Sequence, residues 1–415
     1  MDTRHAAVKC LIKILDENKT SDEVINNYAE KVNSPSELIN LTVGTIKFKL
    51  KLDFYIEKLS SRPLNKISAS VKNILRAAIY ELEFLKTPEY AVINSYVELS
   101  KKFGKSSSGF VNAVLRGFLR GDISLSLPQN ISINLSHPEW LVKKWIEVYG
   151  EEETIKICEF NNKPPKLSVR INTLKSSKQE VMNLFEETNV EFAESKICED
   201  CLILKNSGNI KNIAGFKEGL WIPQGESSSL VAMTLAPQED EKILDLCAAP
   251  GGKTTHIAAL MNNTGEITAV DINENRIKRI LENCERLGVT NVKTIASNAE
   301  TFSSDEKFDR ILIDAPCSNT GVFGKRPDAR WKRTEQDIIA LTEIQRNILN
   351  NAKKLLKNGS ILVYSTCSIE PEENTLQIKK FMEENKNFEL ESELQLLQSK
   401  DDTDGFYIAK LIYRG

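Results

Sequence analysis

Apolar residues recur at helical spacing from the start of the chain. Val8, Leu11, Ile12 and Leu15 form one stripe, Ile74, Ala78 and Leu82 a second, and Val92, Tyr96 and Leu99 a third. Pro63 and Pro88 fall between these patterns, where a helix is expected to break. The spacing predicts an all-α block of six or so short helices over residues 1–122. Residues 123–135 have little periodicity, contain Pro128 and read as a linker. Ser136-His137-Pro138-Glu139 then has the form of a capping box with an early proline, opening a helix through Trp140, Leu141 and Trp145 toward Gly150.

The period changes after that. A strand at 167–171, a helix at 178–187 and a strand at 202–204 make a small α+β unit within 136–225. From 226 to 415 short apolar runs alternate with helical stretches: 242–246, 267–270, 292–295, 310–313 and 361–364. Buried runs of this kind between helices predict a parallel sheet covered on both faces, an α/β core. Residues 405–413 read as a late edge strand. In such folds ligands bind beyond the carboxyl ends of the strands, so candidate chemistry is sought there.

Composition narrows the class. Of 415 residues, 41% are hydrophobic and 27% charged, which excludes collagenous, low-complexity and wholly disordered chains. No run of about eighteen apolar residues is present, so no membrane helix is expected. The first residues lack the apolar core of an export signal, so the eight cysteines are expected to be reduced thiols in a cytoplasm. The net charge of −3 hides a split. Residues 1–122 carry 19 Lys and Arg against 14 Asp and Glu, and the rest carries 36 against 44. A mildly basic block on an acidic body suits an RNA-contacting arm, and equally a solvated helical face.

The first core strand runs into Asp245-Leu246-Cys247-Ala248-Ala249-Pro250-Gly251-Gly252-Lys253. Glycines at a strand-to-helix turn let a ligand approach the backbone. A phosphate-binding P-loop would need glycine where Cys247 stands, and the Gly-x-Gly-x-x-Gly of dinucleotide folds is absent. S-adenosylmethionine, which has no pyrophosphate, needs neither. Asp271 ends the second strand, where an acid can accept both ribose hydroxyls or simply cap the helix beginning near Asn273. Two thiols then fall at neighbouring strand ends, Cys317 in Asp314-Ala-Pro-Cys317-Ser and Cys367 in Ser365-Thr-Cys367-Ser. A lone buried cysteine is usually a small hydrophobe, but two at adjacent strand mouths beside polar residues suggest chemistry. Lys253, at a helix start, is the candidate in sequence for raising the thiolate fraction. Asp314, at the end of the fourth strand, is a candidate to bond a substrate or the cofactor.

Other features weigh less. Cys198-Glu-Asp-Cys201 has metal spacing without a second pair, so no metal site is expected. His256 is expected to pack rather than to catalyse. Residues 325–333, Lys-Arg-Pro-Asp-Ala-Arg-Trp-Lys-Arg, form the densest basic run and read as a phosphate contact, with a solvated loop as the other reading.

Cys247-Ala-Ala-Pro-Gly-Gly-Lys253, Asp314-Ala-Pro-Cys317-Ser and Ser365-Thr-Cys367-Ser, in this order, resemble the RNA cytosine-C5 methyltransferases. Phe110-Val-Asn-Ala-Val-Leu-Arg116 is similar to the antitermination factor NusB. The combination resembles the RsmB/Sun (Fmu) family of 16S ribosomal RNA methyltransferases over about residues 4–410. Ser136-His-Pro-Glu-Trp-Leu, Asn172 and Asp404-Gly-Phe-Tyr407 add smaller agreements.

That resemblance implies a NusB-like helical domain, a small α+β domain and a Rossmann-like S-adenosylmethionine-dependent core. It implies methylation of carbon 5 of a cytosine in 16S RNA, the family target C967, by a cytoplasmic monomer. Cys367 would be the attacking thiol and Cys317 the group assisting release. The same chemistry on tRNA or another ribosomal cytosine is the nearest alternative, and a non-catalytic RNA-binding assembly factor is a second. Two positions depart from the family pattern. Asn298 stands where an aspartate commonly meets the adenine amino group, so it can accept only as a neutral carbonyl. Gln224-Gly225-Glu226 replaces the usual Gln-Asp.

Overall fold

The computed structural model describes residues 1–60, 62–104, 107–121, 129–205 and 208–415. Two compact units emerge, the first Met1–Pro164 with Phe323–Arg333, the second Pro165–Val322 with Thr334–Gly415.

The first unit is helical. Its helices include Thr3–Leu15, Ser21–Ala29, Pro35–Lys47, Lys49–Leu59, Ala69–Phe84, Glu89–Lys101 and Ser107–Arg120. The predicted stripes face inward: Val8, Leu11, Ile74, Ala78, Val92 and Tyr96 are fully buried together. Asp2 caps the first helix by accepting from the His5 amide, and Pro35 opens the third without wasting a donor. Arg76 donates twice to Asp53, at 2.6 and 2.8 Å, both side chains buried.

The expected linker lies partly outside the described residues (123–128), and its end is a helix, Ile131–Leu135. The capping box at Ser136 does not form. Ser136 takes a left-handed conformation that ends this short helix, and its hydroxyl accepts from the Leu50 amide at 2.9 Å. The next helix, Glu139–Tyr149, starts after Pro138 with no side-chain cap. It and Glu151–Asn162 fall within the first compact unit.

The basic run 325–333 is corrected in its second half. Arg330 is fully buried in the first unit, its Nη1 donating to the Lys47 and Ser136 carbonyls and to Asn162 Oδ1 at 2.9–3.0 Å. Trp331 donates to the Ile46 carbonyl, and Lys332 to Asp328 and the Lys19 carbonyl. Arg330 and Lys332 thus serve acceptors of the protein itself, while Lys325 and Arg326 stay exposed. Burial pulls the Arg330 guanidinium down to about 9. Removing it orphans three acceptors, each costing about 1–3 kcal/mol when left unpaired inside a protein. Arg330→Ala is therefore expected to lower the melting temperature by several degrees, about 2–4 °C per kcal/mol at this size, measured by calorimetry.

The second unit holds two sheets. Strands β1 (Leu167–Ile171), β2 (Phe192–Glu194), β3 (Cys201–Leu204) and β4 (Trp221–Pro223) form an antiparallel sheet in the order β2-β3-β1-β4. The helix Lys178–Glu187, with a complete capping box of Ser177 and Glu180, covers it through Val181 and Phe185 against Val169 and Trp221. The larger sheet contains β5 (Lys242–Leu246), β6 (Glu266–Asp271), β7 (Val292–Ala296), β8 (Phe308–Asp314), β9 (Leu356–Thr366), β10 (Phe388–Leu396) and β11 (Phe406–Tyr413). Its order is β10-β11-β9-β8-β5-β6-β7, with β5 to β9 parallel and β11 antiparallel to both neighbours.

Successive residues alternate between two buried faces. Ile243, Ile267 and Leu312 pack with the helices Gly252–Leu260 and Glu274–Leu287. Leu244, Leu246, Ile311 and Ile313 pack with Glu335–Ala352 and Thr375–Glu384. β11 is not the edge. β10 closes the sheet outside it, and its Glu-Leu-Glu-Ser-Glu run is exposed on most positions. The strand order reverses direction between β5 and β8, which places the binding crevice at their carboxyl ends.

Candidate active site

Five strand ends contribute to that crevice. After β5 the loop Cys247–Gly251 turns into the helix Gly252–Leu260. Gly251 has φ +94°, and a Cβ there would meet Ile280 at 3.1 Å, so the turn requires glycine. The loop is pinned by its own backbone. Ala249 N donates to Asp271 Oδ2, and the Ala249 and Pro250 carbonyls accept from Arg276 and Asn283. Arg170 of β1 reaches the Gly252 carbonyl, Thr255 and Gln224 Oε1, while Gln224 Nε2 is buried without a partner. Glu226, beside it, accepts from Ser195.

Asp271, nearly fully buried, ends β6. Its Oδ1 accepts from the Asn273 amide at 3.2 Å. The helix cap is Asn273, whose side chain takes the Asn275 and Arg276 amides, so Asp271 is not the cap. Beyond β7, Asn298 Oδ1 accepts from the Glu300 amide at 2.9 Å, forming a local turn. Asp245 lies beneath the loop, fully buried, with Oδ2 accepting from Thr254 and Oδ1 unpartnered. Burial pushes its carboxyl up to about 7. The Cys247 thiol is likewise pushed up by burial.

Asp314, at the end of β8, is gripped from two sides. Lys253 Nζ is 2.6 Å from Oδ2, and Ser365 Oγ donates to Oδ1 at 3.0 Å. Lys253 also lies over the Phe406 ring at 5.4 Å. The lysine thus serves Asp314, not a thiol as the sequence suggested, because the first turn of its helix points it across β5 toward β8.

Cys317 and Cys367 come together, their sulfurs 3.3 Å apart. Asn319 Oδ1 accepts from Cys367 Sγ at 3.2 Å, while its Nδ2 donates to the Cys317 carbonyl. The hydrogen bond to Cys367, with burial, pushes the Cys317 thiol well above its ordinary range. The loops carrying the thiols are stitched to β11. Gly321 N donates to the Cys367 carbonyl, Gly405 N to the Gly321 carbonyl, and a Cβ on Gly321 would sit 2.0 Å from Gly405 O. Close approach therefore explains Gly321, and a Cβ on Gly405 would itself meet Ile369 Cγ2 at 2.5 Å. Ser365 and Phe406 stand in the quoted motifs without an assigned role, and Asn319 was not singled out, since nothing in their types marks them.

The residues suit a nucleoside cofactor. Asp271 offers carboxylate oxygens at a strand end, Asn298 a carbonyl at the next, and the 247–253 turn is one that side chains would obstruct. Cys198 and Cys201 lie 3.0 Å apart and buried, and among the described residues no group of three or more metal-ligating side chains occurs. His256 is buried with neither ring nitrogen bonded, and burial holds it neutral, as a packing residue.

Comparison with known proteins completes the picture. Residues 232–412 match the profile of the 16S rRNA methyltransferase RsmB/F, residues 1–120 the NusB family, and residues 137–211 the ferredoxin-like domain of RsmF/B-like methyltransferases. The chain is 36% identical to the Bacillus subtilis (strain 168) protein named "Probable ribosomal RNA small subunit methyltransferase B", over 99% of each chain. The chain belongs to the ribosomal RNA small subunit methyltransferase B family. Ribosomal RNA small subunit methyltransferase B of Escherichia coli O1:K1 / APEC is 33% identical over 99% of this chain and 98% of its own. Among solved structures, PH0851 covers 99% of both chains with a TM-score of 0.83 and 28% identity. NSun6 from Pyrococcus horikoshii, solved with SFG, covers 67% of this chain and 98% of its own at a TM-score of 0.63 and 27% identity. For this family member the NusB-like helical block, the ferredoxin-like sheet and the Rossmann-like core are thus established. No helix among the described residues is long and apolar enough to cross a membrane.

Proposed function

We propose that this chain transfers the methyl group of S-adenosylmethionine to carbon 5 of a cytosine in 16S ribosomal RNA, the family target C967. The observation carrying this reading is the pair of sulfurs 3.3 Å apart beside Asp314. Carbon 5 of cytosine is a poor nucleophile. A thiolate from Cys367 adding to carbon 6 makes it enamine-like, so one hard step becomes two easier ones. S-adenosylmethionine supplies the electrophilic methyl group. Loss of the proton from carbon 5 then restores the double bond and expels Cys367, with Cys317 assisting. Asp314, held by Lys253 and Ser365, is fixed to accept from the exocyclic amino group of the base. Asp271 would take the ribose hydroxyls, Asn298 the adenine amino group and the 247–253 turn the amino-acid end of the cofactor.

The chain acts as a cytoplasmic monomer in this reading, with the basic helical block contributing RNA contacts. The test combines two measurements. Purified protein given tritiated-methyl cofactor and small-subunit RNA is expected to label the RNA. Bisulfite sequencing of 16S RNA from a deletion strain is expected to lose one protected cytosine, regained on complementation. Absence of label refutes methyl transfer, and label at a carbon other than C5 refutes the chemistry.

A further inference from the structure

Two thiols outside the strand-end crevice also meet. Cys198 and Cys201 bound the turn that opens β3, the Cys201 amide donating to the Cys198 carbonyl at 3.1 Å. Such a turn keeps its first and fourth Cα atoms within about 7 Å, and a disulfide spans about 4.4–6.8 Å. The sulfurs are already 3.0 Å apart, about 1 Å beyond bonding distance. The turn is pinned on both sides. Ser195 Oγ accepts the Ile197 and Cys198 amides and donates to Glu226, and the Asp200 carbonyl accepts from the Ile171 amide. Both thiols are buried, while Glu199 between them is exposed, so the pair lies directly beneath a surface turn.

A cation stands beside them. Cys201 pairs with Arg170 across β3 and β1, which puts the two side chains on one face, about 5 Å apart at Cβ. Arg170 is buried, and its hydrogen bonds go to neutral acceptors: Gln224, Thr255 and the Ile171 and Gly252 carbonyls. A positive charge of this kind favours a neighbouring thiolate, the reactive form. The hydrogen bond from Cys201 holds the Cys198 thiol below its ordinary value, with Arg170 acting in the same direction and burial and the Asp200 charge opposing.

We propose that Cys198 and Cys201 form a redox site, a dithiol that peroxide closes to a disulfide and a small thiol reopens. The Cys198 sulfur attacks one peroxide oxygen, the O–O bond breaks, and the departing hydroxide takes up the proton that Cys198 gave as water. Cys198 is then a sulfenic acid, oxidised by two electrons. The Cys201 sulfur displaces its hydroxyl, the S–O bond breaks, and the Cys201 proton leaves with it as a second water. Two molecules of a thiol such as glutathione return two electrons and two protons and become a disulfide themselves. Peroxide suits a buried pair because it is neutral and little larger than water.

The full chain carrying Cys317→Ala and Cys367→Ala tests this, since those variants remove the other close pair of sulfurs. Folded protein is treated with hydrogen peroxide, the remaining thiols are alkylated in denaturant, and peptides are quantified by mass spectrometry. The peptide holding both residues is expected to lose two hydrogens and both labels, at least about tenfold faster than the lone buried thiols Cys10, Cys158 and Cys284 lose theirs. Glutathione is expected to restore both labels. In the same background Cys201→Ser is expected to stop at the sulfenic acid, trapped on Cys198 by dimedone, and Cys198→Ser to leave Cys201 untrapped. Labels kept at both positions as long as at the lone thiols would overturn the proposal. So would a sulfinic acid that glutathione leaves in place. Dimedone on Cys201 alone would overturn the order of attack. The peptide result decides for the pair even where a serine variant does not fold.

Discussion

Cys317→Ala incubated with cofactor and its target RNA is expected to run as a retarded band on a denaturing gel, still bonded to the nucleic acid through Cys367. Attack on carbon 6 and methyl transfer need only the Cys367 thiolate. Release needs the carbon-5 proton removed and the thiol expelled, and the group 3.3 Å from Cys367 has been deleted. Cys367→Ala should give neither product nor band, a loss of several orders of magnitude in turnover, as for other deleted nucleophiles. The double variant should also be silent. Native enzyme with 5-fluorocytosine RNA should reproduce the band, because fluorine cannot leave as a proton does. A band from Cys367→Ala and none from Cys317→Ala would exchange the two roles. No band from either variant or from the fluorinated RNA would remove the covalent mechanism.

The second large effect concerns the cofactor. Asp271→Ala is expected to weaken S-adenosylmethionine binding by at least about a hundredfold, since charge-assisted bonds to two hydroxyls are worth roughly 1.5–3 kcal/mol each. RNA affinity should remain within about twofold. The carboxylate also accepts from Ala249 and Asn273, so part of the loss will come through the loop it holds. Asp271→Asn separates the contributions. It keeps a carbonyl for one amide and removes the charge, and should fall between native and alanine. Isothermal calorimetry reads all three. Unchanged affinity in Asp271→Ala would reduce Asp271 to a brace between the two turns.

The parallel strands β5, β6, β8 and β9 were legible because burial on both faces writes them as apolar runs such as Ile-Leu in 243–244 and Ile-Leu-Ile in 311–313. β10 carries the other strand signature, Phe388, Leu390, Leu394 and Leu396 alternating with polar residues, and it escaped a search for unbroken runs. The motif cysteines announced themselves by type and position. Glu373 did not, because a glutamate in Pro-Glu-Glu-Asn reads as surface until the fold closes Ser318 and Ser368 over it. Arg330 failed for the mirror reason. A cation in a basic run looks like a solvent or phosphate contact, and only the folded chain shows three carbonyl-type acceptors waiting for it. Lys253 was placed correctly on its helix, but the partner it selects depends on strand order, which periodicity does not encode.

The first unit takes part of its interior from residues 323–333, far along the chain. During synthesis, the ribosome releases Pro164 well before Arg330 and Trp331 exist. At about 5–20 residues per second, the intervening stretch takes on the order of ten to thirty seconds to emerge. The helical unit must wait through that interval with the Lys47, Ser136 and Ile46 carbonyls open to water, and it can finish folding only after the thiol loop bearing Cys317 has been made. The N-terminal unit is first in sequence and among the last to be completed in time.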